Sequence, residues 1–335
     1  MSKILVTGAG GYIASIATYL FLQKGYEVVA LDNLQTGYRA PIDFLIAKFG
    51  NDKIRFYEMD LKADLSSLFE KEKDIEAVVH YAASCLVDES MKNPEKYFRN
   101  NILGTLNLLS QIDKYGIKKF VFSSTAATYG EAQYVPIDEL HPTLPVNTYG
   151  ESKLMTEMMI KRYGANKGMR YIILRYFNVC GASDDGLVGD SKHPSVLLIQ
   201  NAVRGALGIE PFKLVCPKVE TPDGTPIRDF VNVMDLNEAH LLALEYLGSG
   251  GESEIINIGT GAGNSVFEII EKVKKVTGVA FDIGKSEPRM GDPAKLVASI
   301  EKAKKILGWA PKRTIEDSIT SLVTWYKAHP NGWEH

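Results

Sequence analysis

An apolar strand, a glycine turn, a helix and a second strand tipped with an acid follow one another over residues 3–33. Lys3-Ile4-Leu5-Val6-Thr7 leads into Gly8-Ala9-Gly10-Gly11-Tyr12-Ile13-Ala14, an apolar helical pattern follows, and Val28-Val29-Ala30-Leu31 ends in Asp32-Asn33. That order builds a dinucleotide site. Glycines let the backbone turn tightly and approach a pyrophosphate, whose charge sits on the helix N-terminus. The third small position is Ala14, which the pattern allows in place of Gly. Asp32 can accept hydrogen bonds from both adenosine ribose hydroxyls and repels a 2′-phosphate. The expected cofactor is therefore NAD rather than NADP.

Later strands end in residues suited to a cofactor crevice. Ile54-Arg55-Phe56-Tyr57-Glu58 leads to Asp60, placed to meet the adenine amino group. Ala77-Val78-Val79-His80 leads to Tyr81-Ala82-Ala83, small residues against which a cofactor can lie. Lys119-Phe120-Val121-Phe122 leads to Ser123-Ser124-Thr125, and Tyr171-Ile172-Ile173-Leu174 leads to Arg175-Tyr176-Phe177-Asn178. Helical patterns separate these strands, which predicts an α/β fold, a Rossmann-like doubly wound parallel sheet. Ligands in such sheets lie outside the carboxyl ends of the strands. After Asn178 the alternation stops. The sequence predicts a loop over 181–193, a helix over 194–207, a Pro-rich extended stretch over 210–228, and a strand over 254–258 that returns to the main sheet. The organisation expected is a dinucleotide domain over 1–178, with a returning segment near 229–260, and a smaller mixed α/β substrate lobe from 179–228 and 261–335.

Composition narrows the class. The 335 residues are 45% hydrophobic, enough for a large core, and the net charge of −3 gives no reason to expect nucleic acid or an anionic membrane as partner. No apolar run approaches the roughly 20 residues a membrane helix needs, and Met1-Ser2-Lys3 leads straight into a strand, so no signal peptide is expected. Cys85, Cys180 and Cys216 are scattered, without C-x-x-C spacing or a nearby His. They read as reduced thiols of a cytoplasmic protein without a metal site.

The Tyr-x-x-x-Lys spacing occurs three times, at Tyr115/Lys119, Tyr149/Lys153 and Tyr163/Lys167. Only Tyr149 follows the Ser-Ser-Thr strand end and opens a helix, so only it is expected at the nicotinamide. Positions i and i+4 share a helical face, which sets Lys153 beneath Tyr149. A tyrosine base must bring its pKa from about 10 toward 7, about 4 kcal/mol of preference for phenolate. One ammonium about 5 Å away, at an effective dielectric of about 20, supplies about 3 kcal/mol. The charge of oxidised nicotinamide can supply the rest. Thr125, or Ser124, would hydrogen-bond the reacting oxygen and share its proton with Tyr149.

These residues resemble the extended short-chain dehydrogenase/reductase superfamily, and within it the UDP-glucose 4-epimerase family. The likeness runs through Thr7-Gly8-x-x-Gly11-Tyr12-Ile13, Leu31-Asp32-Asn33-Leu34, Asn100-Asn101-x-x-Gly104-Thr105, Tyr149-Gly150-x-Ser152-Lys153 and Leu174-Arg175-Tyr176-Phe177-Asn178. It continues in Thr221-Pro222-Asp223-Gly224-Thr225-Pro226-Ile227-Arg228-Asp229 and Arg289-x-Gly291-Asp292-Pro293-Ala294. The resemblance implies hydride removal from C4 of a UDP-hexose, turnover of the 4-keto sugar, and hydride return to its other face. It implies cofactor contacts at Gly8, Gly11, Tyr12, Ile13, Asp32, Asn33, Asp60, Leu61, Tyr81, Ala82, Ala83, Asn100, Lys153 and Phe177. Substrate contacts are implied at Thr125, Tyr149, Asn178, His193, Arg228, Arg289, Asp292 and Leu296. A homodimer through the helices near 94–115 and 150–166 is implied as well.

The chain also departs from the pattern. Cys85 stands where some members have lysine, and Val215-Cys216-Pro217-Lys218-Val219 replaces an aromatic-containing segment near the expected uridine site. Leu296, intermediate in bulk, sits at the position that limits pocket size and leaves N-acetylated sugars open. Ala126-Ala127 lacks the acids that related dehydratases and decarboxylases carry after the Ser/Thr. That favours epimerisation, ahead of a uronate epimerase, a reductase or a non-catalytic NAD-binding protein.

Overall fold

The computed structural model describes residues 2–191, 195–285 and 293–333. Among these, the strands in chain order are β1 (Lys3–Thr7), β2 (Glu27–Asp32), β3 (Ile54–Glu58), β4 (Ile75–His80), β5 (Lys119–Thr125), β6 (Arg170–Tyr176), β7 (Asn178–Cys180), β8 (Lys213–Leu214), β9 (Ile227–Asn232), β10 (Glu254–Ile258), β11 (Gly263–Ser265), β12 (Gly284–Lys285) and β13 (Lys295–Leu296). Seven of them form one sheet in the order β10-β6-β5-β4-β1-β2-β3. Every neighbouring pair in it is parallel. The order reverses between β1 and β4, the point at which doubly wound sheets open a ligand crevice. The α/β fold read from the sequence is the fold observed, and Glu254–Ile258 does return to the main sheet, beside β6.

Both faces of this sheet are buried, which is why its strands read as nearly continuous apolar runs. On one face Ile4, Val6, Ala30, Val79, Val121 and Ile172 pack with Ile16, Phe21, Leu236, Ala239 and Leu244 from the helices Tyr12–Gln23 and Val233–Gly248. On the other, Leu5, Val29, Val78, Phe120, Phe122 and Ile173 pack with Leu108, Leu109, Ile112 and Ile160 from the helices Gly104–Lys114 and Thr148–Lys167. A third apolar cluster joins the helices Leu198–Ala206, Val266–Thr277 and Ile315–Ala328 through Ile199, Val203, Ile269, Val273, Leu322 and Trp325. A small sheet lies beside it, with β9 bordered by β11, β13 and β7. Ile227–Asn232 belongs to that small sheet, and the chain rejoins the main one through the Val233–Gly248 helix and β10.

Two local expectations change. The helix read over 194–207 spans Leu198–Ala206, with Leu197 in extended backbone before it; Pro194 lies outside the described residues. The helical stretch near 94–115 is not one regular helix. Asn93 caps Pro94–Tyr97, Phe98–Leu103 winds as a π-helix, and α-geometry resumes over Gly104–Lys114. The wider turn brings Asn100 and Asn101 both to Ser84: Asn100 donates to its hydroxyl at 3.0 Å, and Asn101 donates to its carbonyl at 3.0 Å. Such π segments concentrate at functional sites.

The helix that carries Tyr149 begins where Asn147 accepts the Gly150 N–H at 2.8 Å and ends at the left-handed Gly168. The loop entering it packs on Gly130, whose φ is +70° and whose missing Cβ would sit 1.9 Å from the Leu144 carbonyl oxygen. No side chain fits there. Gly130→Ala is expected to lower the unfolding free energy by more than about 2 kcal/mol in urea titration, from left-handed strain and the clash together. An unchanged midpoint would contradict this packing.

Candidate active site

The glycine turn leaves β1 at the sheet's reversal point. Gly8 has φ +74°, and a Cβ on it would lie 2.8 Å from the Ala82 backbone, just beyond β4. A Cβ on Gly10 would lie 2.7 Å from the Tyr38 carbonyl. The Tyr12–Gln23 helix opens on Gly11 with no side chain capping it and no acid in its first turn. Its N-terminal N–H groups are thus left for an anion. These features fit a dinucleotide pyrophosphate. Tyr12 itself is turned elsewhere: its hydroxyl donates to the Gly181 carbonyl at 2.5 Å. The Ile13 carbonyl accepts from Asn237 at 3.1 Å.

Asp32 stands at the tip of β2, buried, with one backbone N–H on each carboxylate oxygen: Gly10 at 3.0 Å and Leu34 at 2.7 Å. Burial raises its pKa while these donors pull it back. The Asn33 N–H also faces this carboxylate, and with about four acceptor sites in all room is left for a ribose hydroxyl. Gly37 keeps that side open, since a Cβ there would lie 3.0 Å from the Asp32 carboxylate. Beyond Asp32 a cleft of ≈ 550 Å³ is lined by Asn33, Asp60, Asn100 and Met59 among others. Asn33 donates to Asp60 at 2.9 Å, and Lys62 bridges Asp60 at 3.1 Å and Asn100 at 2.6 Å. Leu61 is instead buried against Gly104.

Position separates the three Tyr-Lys pairs as the sequence predicts. Tyr115 terminates the Gly104–Lys114 helix. Tyr163 meets Ser110 at 3.2 Å, far along its helix, and Lys167 pairs with Asp113 at 3.1 Å. Tyr149 and Lys153 are both buried at the end of β5. Lys153 Nζ donates to the Ser123 carbonyl at 2.8 Å and lies 4.7 Å from the Phe122 ring centre.

The electrostatics depart from the spacing argument. Burial pushes the Tyr149 phenol well above its ordinary value, with Tyr176 and Cys85 adding to the rise and a Thr125 hydrogen bond opposing it. Burial also pulls Lys153 down to about 8, with Cys85 and Glu157 opposing. In the chain alone, desolvation is the largest influence on both groups, which lose water together.

The three consecutive hydroxyls of β5 go three ways. Ser123 reaches His240 at 2.7 Å. Ser124 donates to Glu157 at 2.5 Å, and Arg175 grips the same carboxylate with two donors at 2.9 and 2.5 Å. Only Thr125 stands with Tyr149; its oxygen also accepts the Ala127 N–H at 3.1 Å. The alternation of side chains along a strand makes this choice: Ser124, a candidate for the proton-sharing role, is fully buried on the opposite face.

Two buried histidines brace the crevice. His240 Nδ1 faces the Leu236 carbonyl at 3.0 Å, so that nitrogen carries the hydrogen and Nε2 accepts from Ser123. The His240 ring stacks on Tyr81 at 4.6 Å. Thr105 donates to the Asn101 carbonyl at 2.6 Å, so its oxygen accepts from His80 Nε2 at 2.8 Å. His80 Nδ1 then accepts from Thr7 at 2.6 Å, and the Thr7 oxygen accepts the Ala82 N–H at 3.3 Å. Sequence reasoning passed over His80, His240, Glu157 and Arg175. Glu157 did leave a signal, an acid four residues beyond Lys153 on the same face.

Substrate-side candidates gather on the small sheet. Arg228 of β9 is the register partner of Leu296 on β13, and Asn178 of β7 pairs with Phe230 two residues along β9. Phe177 is buried, its N–H on the Ile258 carbonyl at 3.1 Å. His193, Arg289 and Asp292 lie outside the described residues. Among the described residues no cluster of His, Cys, Asp and Glu could hold a metal.

Burial pushes His80 down to about 3 and His240 to about 4. Their folded pKa values lie below the unfolded 6.5, so the unfolded chain takes up protons first and stability falls as pH drops from about 6.5 toward 4. At pH 5 each histidine accounts for about 2 kcal/mol of that loss. In His240→Gln the decrease in unfolding free energy between pH 7 and pH 5 should shrink by about that amount; an unchanged decrease would mean that the histidine is protonated in the fold.

The whole chain finds counterparts among known proteins. Residues 4–259 match the NAD dependent epimerase/dehydratase family. A UDP-glucose 4-epimerase from Lacticaseibacillus casei is 43% identical over 334 residues, covering 98% of each chain. The crystal structure of UDP-glucose 4-epimerase from Bifidobacterium longum, in complex with NAD+ and UDP, superposes with a TM-score of 0.93 at 33% identity, covering 99% of this chain and 100% of that one. The UDP-Glc/GlcNAc 4-epimerase from Campylobacter jejuni is 41% identical, with a TM-score of 0.82 over 98% of this chain and 100% of that one. The chain belongs to the NAD dependent epimerase/dehydratase family, and within it to the UDP-glucose 4-epimerases.

Proposed function

We propose that this protein interconverts UDP-galactose and UDP-glucose through a transient 4-keto sugar, with NAD as a resident cofactor. The observation that carries the reading is that Tyr149 hydrogen-bonds Thr125 while Lys153, one turn along the same helix, donates to the Ser123 carbonyl of β5, near the crevice that Gly8 and Ala82 keep narrow. NAD supplies the hydride acceptor and, when oxidised, a positive ring charge. Tyr149 takes the proton of the C4 hydroxyl as hydride departs, and returns it when hydride comes back to the opposite face of the ketone. Thr125 holds the same oxygen. Lys153 keeps donors free beyond the one given to Ser123 and turns them to the nicotinamide ribose and to Tyr149. A buried phenol favours the neutral form, so the base works best when the ring beside it is positively charged.

The UDP portion is held apart from the reacting carbon. Arg228, Asn178 and Leu296 on the small sheet support this, and His193, Arg289 and Asp292 join them by family resemblance. Remote binding of UDP lets the keto sugar turn over without leaving. We assign 1–178 with the returning segment to the cofactor, and 179–228 with 261–335 to the nucleotide sugar. N-acetylated hexoses fall within the proposed range because Leu296 is not a bulky aromatic. Ala126-Ala127 offers no acid or base for elimination.

We further propose a cytoplasmic homodimer. No helix of the described residues is long and apolar enough to cross a membrane. The two helical stretches expected at the dimer contact expose Leu103, Leu106, Met155 and Met158, the last at 58%. Such a stripe on adjacent helices suits a four-helix contact between copies.

Purified protein given UDP-galactose without added NAD should yield the anomeric proton signals of UDP-glucose by NMR. No conversion, even with NAD supplied, would reject the assignment. Tyr149→Phe should lower kcat by about 10²–10⁴-fold with bound NAD retained; a loss under tenfold would remove Tyr149 from the role of base. Met158→Glu should halve the mass measured by sedimentation equilibrium, and an unchanged mass would place the dimer contact elsewhere.

A further inference from the structure

Behind the reacting groups lies a buried charged cluster to which neither the family pattern nor the mechanism assigns a role. Glu157, wholly inaccessible, receives the Ser124 hydroxyl at 2.5 Å and the Arg175 fork at 2.9 and 2.5 Å. The three residues come from three elements: Ser124 from β5, Arg175 from β6 and Glu157 from the Thr148–Lys167 helix. Ser124 and Arg175 are register partners across the sheet, so Glu157 closes over one cross-strand pair. Arg175 lies 4.9 Å from the Tyr129 ring centre and is the register partner of Asn257, which accepts the Tyr129 hydroxyl at 2.6 Å.

Geometry links this cluster to the chemistry at both ends. Ser124 immediately precedes Thr125, and Glu157 is one helical turn beyond Lys153, itself one turn beyond Tyr149. A second tie runs in parallel, from Lys153 to the Ser123 carbonyl. Helix and strand are thus joined at two successive turns, at Ser123 and Ser124. The spacing between Thr125 on the strand and Tyr149 on the helix is set by those two ties. Bonds from a hydroxyl and a guanidinium to a carboxylate are short and directional, so they hold distance as well as charge.

We propose that Glu157 is a positioning residue for the epimerase reaction: by binding Ser124 and Arg175 together it fixes the end of β5 against the Tyr149 helix and so aligns Thr125 with Tyr149. This rests on the catalytic reading of Thr125, Tyr149 and Lys153 given above. Glu157 touches neither sugar nor cofactor; its effect is on kcat through geometry, and the binding of UDP-sugar and NAD should be untouched. A residue needed only for folding would lose stability and leave kcat of the folded fraction unchanged. Little slack is needed to disturb such a site: displacement by about 1 Å can cost about 10²-fold in rate.

The test compares Ser124→Ala, Glu157→Gln and their double variant in UDP-galactose turnover, with KM, bound NAD per chain and urea unfolding measured on each. Ser124→Ala removes a single hydrogen bond and should fold. It is expected to lower kcat about tenfold with KM within twofold of wild type and NAD content unchanged. Glu157→Gln is expected to lower kcat at least as far, and the double variant no further than Glu157→Gln alone, because both act through one contact. A Ser124→Ala kcat within twofold of wild type, or losses that multiply in the double variant, would overturn the proposal. If Glu157→Gln gives no folded protein, Ser124→Ala decides alone by the same criterion. A wild-type chain that does not turn over UDP-galactose would reject the function itself, which keeps the two failures distinct.

Discussion

Everything at this site depends on the docking of one helix across the carboxyl ends of β5 and β6. Thr148–Lys167 buries an ammonium, a carboxylate and a phenol on a single stripe, Lys153, Glu157 and Tyr149. Burying such groups is costly unless each finds partners. Lys153 has the Ser123 carbonyl and the Phe122 ring, and Glu157 has Arg175 and Ser124. The helix can lie nowhere else without stranding a charge. Its position therefore places Tyr149 beside Thr125 as a consequence of satisfied polar groups rather than of apolar packing alone.

The same burial shapes the chemistry. Removing water pushes the phenol up and the ammonium down, so the two shifts oppose the charge separation a tyrosine base requires. A base that is reluctant until a positive charge arrives suits a reaction whose net redox change is zero. In the reading proposed above, such a base would act when the nicotinamide is oxidised and would rest once it is reduced. Around it, the bracing by His80 and His240 keeps the Ala82 and Ser123 backbones where the crevice needs them.

Much of this was legible in the amino-acid order, and the reasons are local. Gly8 and Gly10 are required by backbone approaches that leave no room for a Cβ, and Asp32 ends a strand whose register follows from its apolar run. Tyr149 stood out from Tyr115 and Tyr163 because it opens the α-helix that next follows the Ser-Ser-Thr strand end, whereas Tyr115 ends a helix and Tyr163 lies far along one. What sequence could not give depends on contacts between distant segments. The choice of Thr125 over Ser124 needs the face of β5 that Glu157 covers, and the lowered Lys153 needs the depth of burial. The π turn at Phe98–Leu103 follows from Asn101 reaching Ser84 and Ser152, segments 17 and 51 residues away.

The central claim is that hydride leaves and returns within one active site while the cofactor stays in place. UDP-galactose carrying deuterium at C4 tests it most directly, with product followed by mass spectrometry and NMR in ordinary water. Full retention of deuterium at C4 of the UDP-glucose formed is the predicted result. Loss of the label to solvent would show proton abstraction from carbon instead, and would contradict the account at its root.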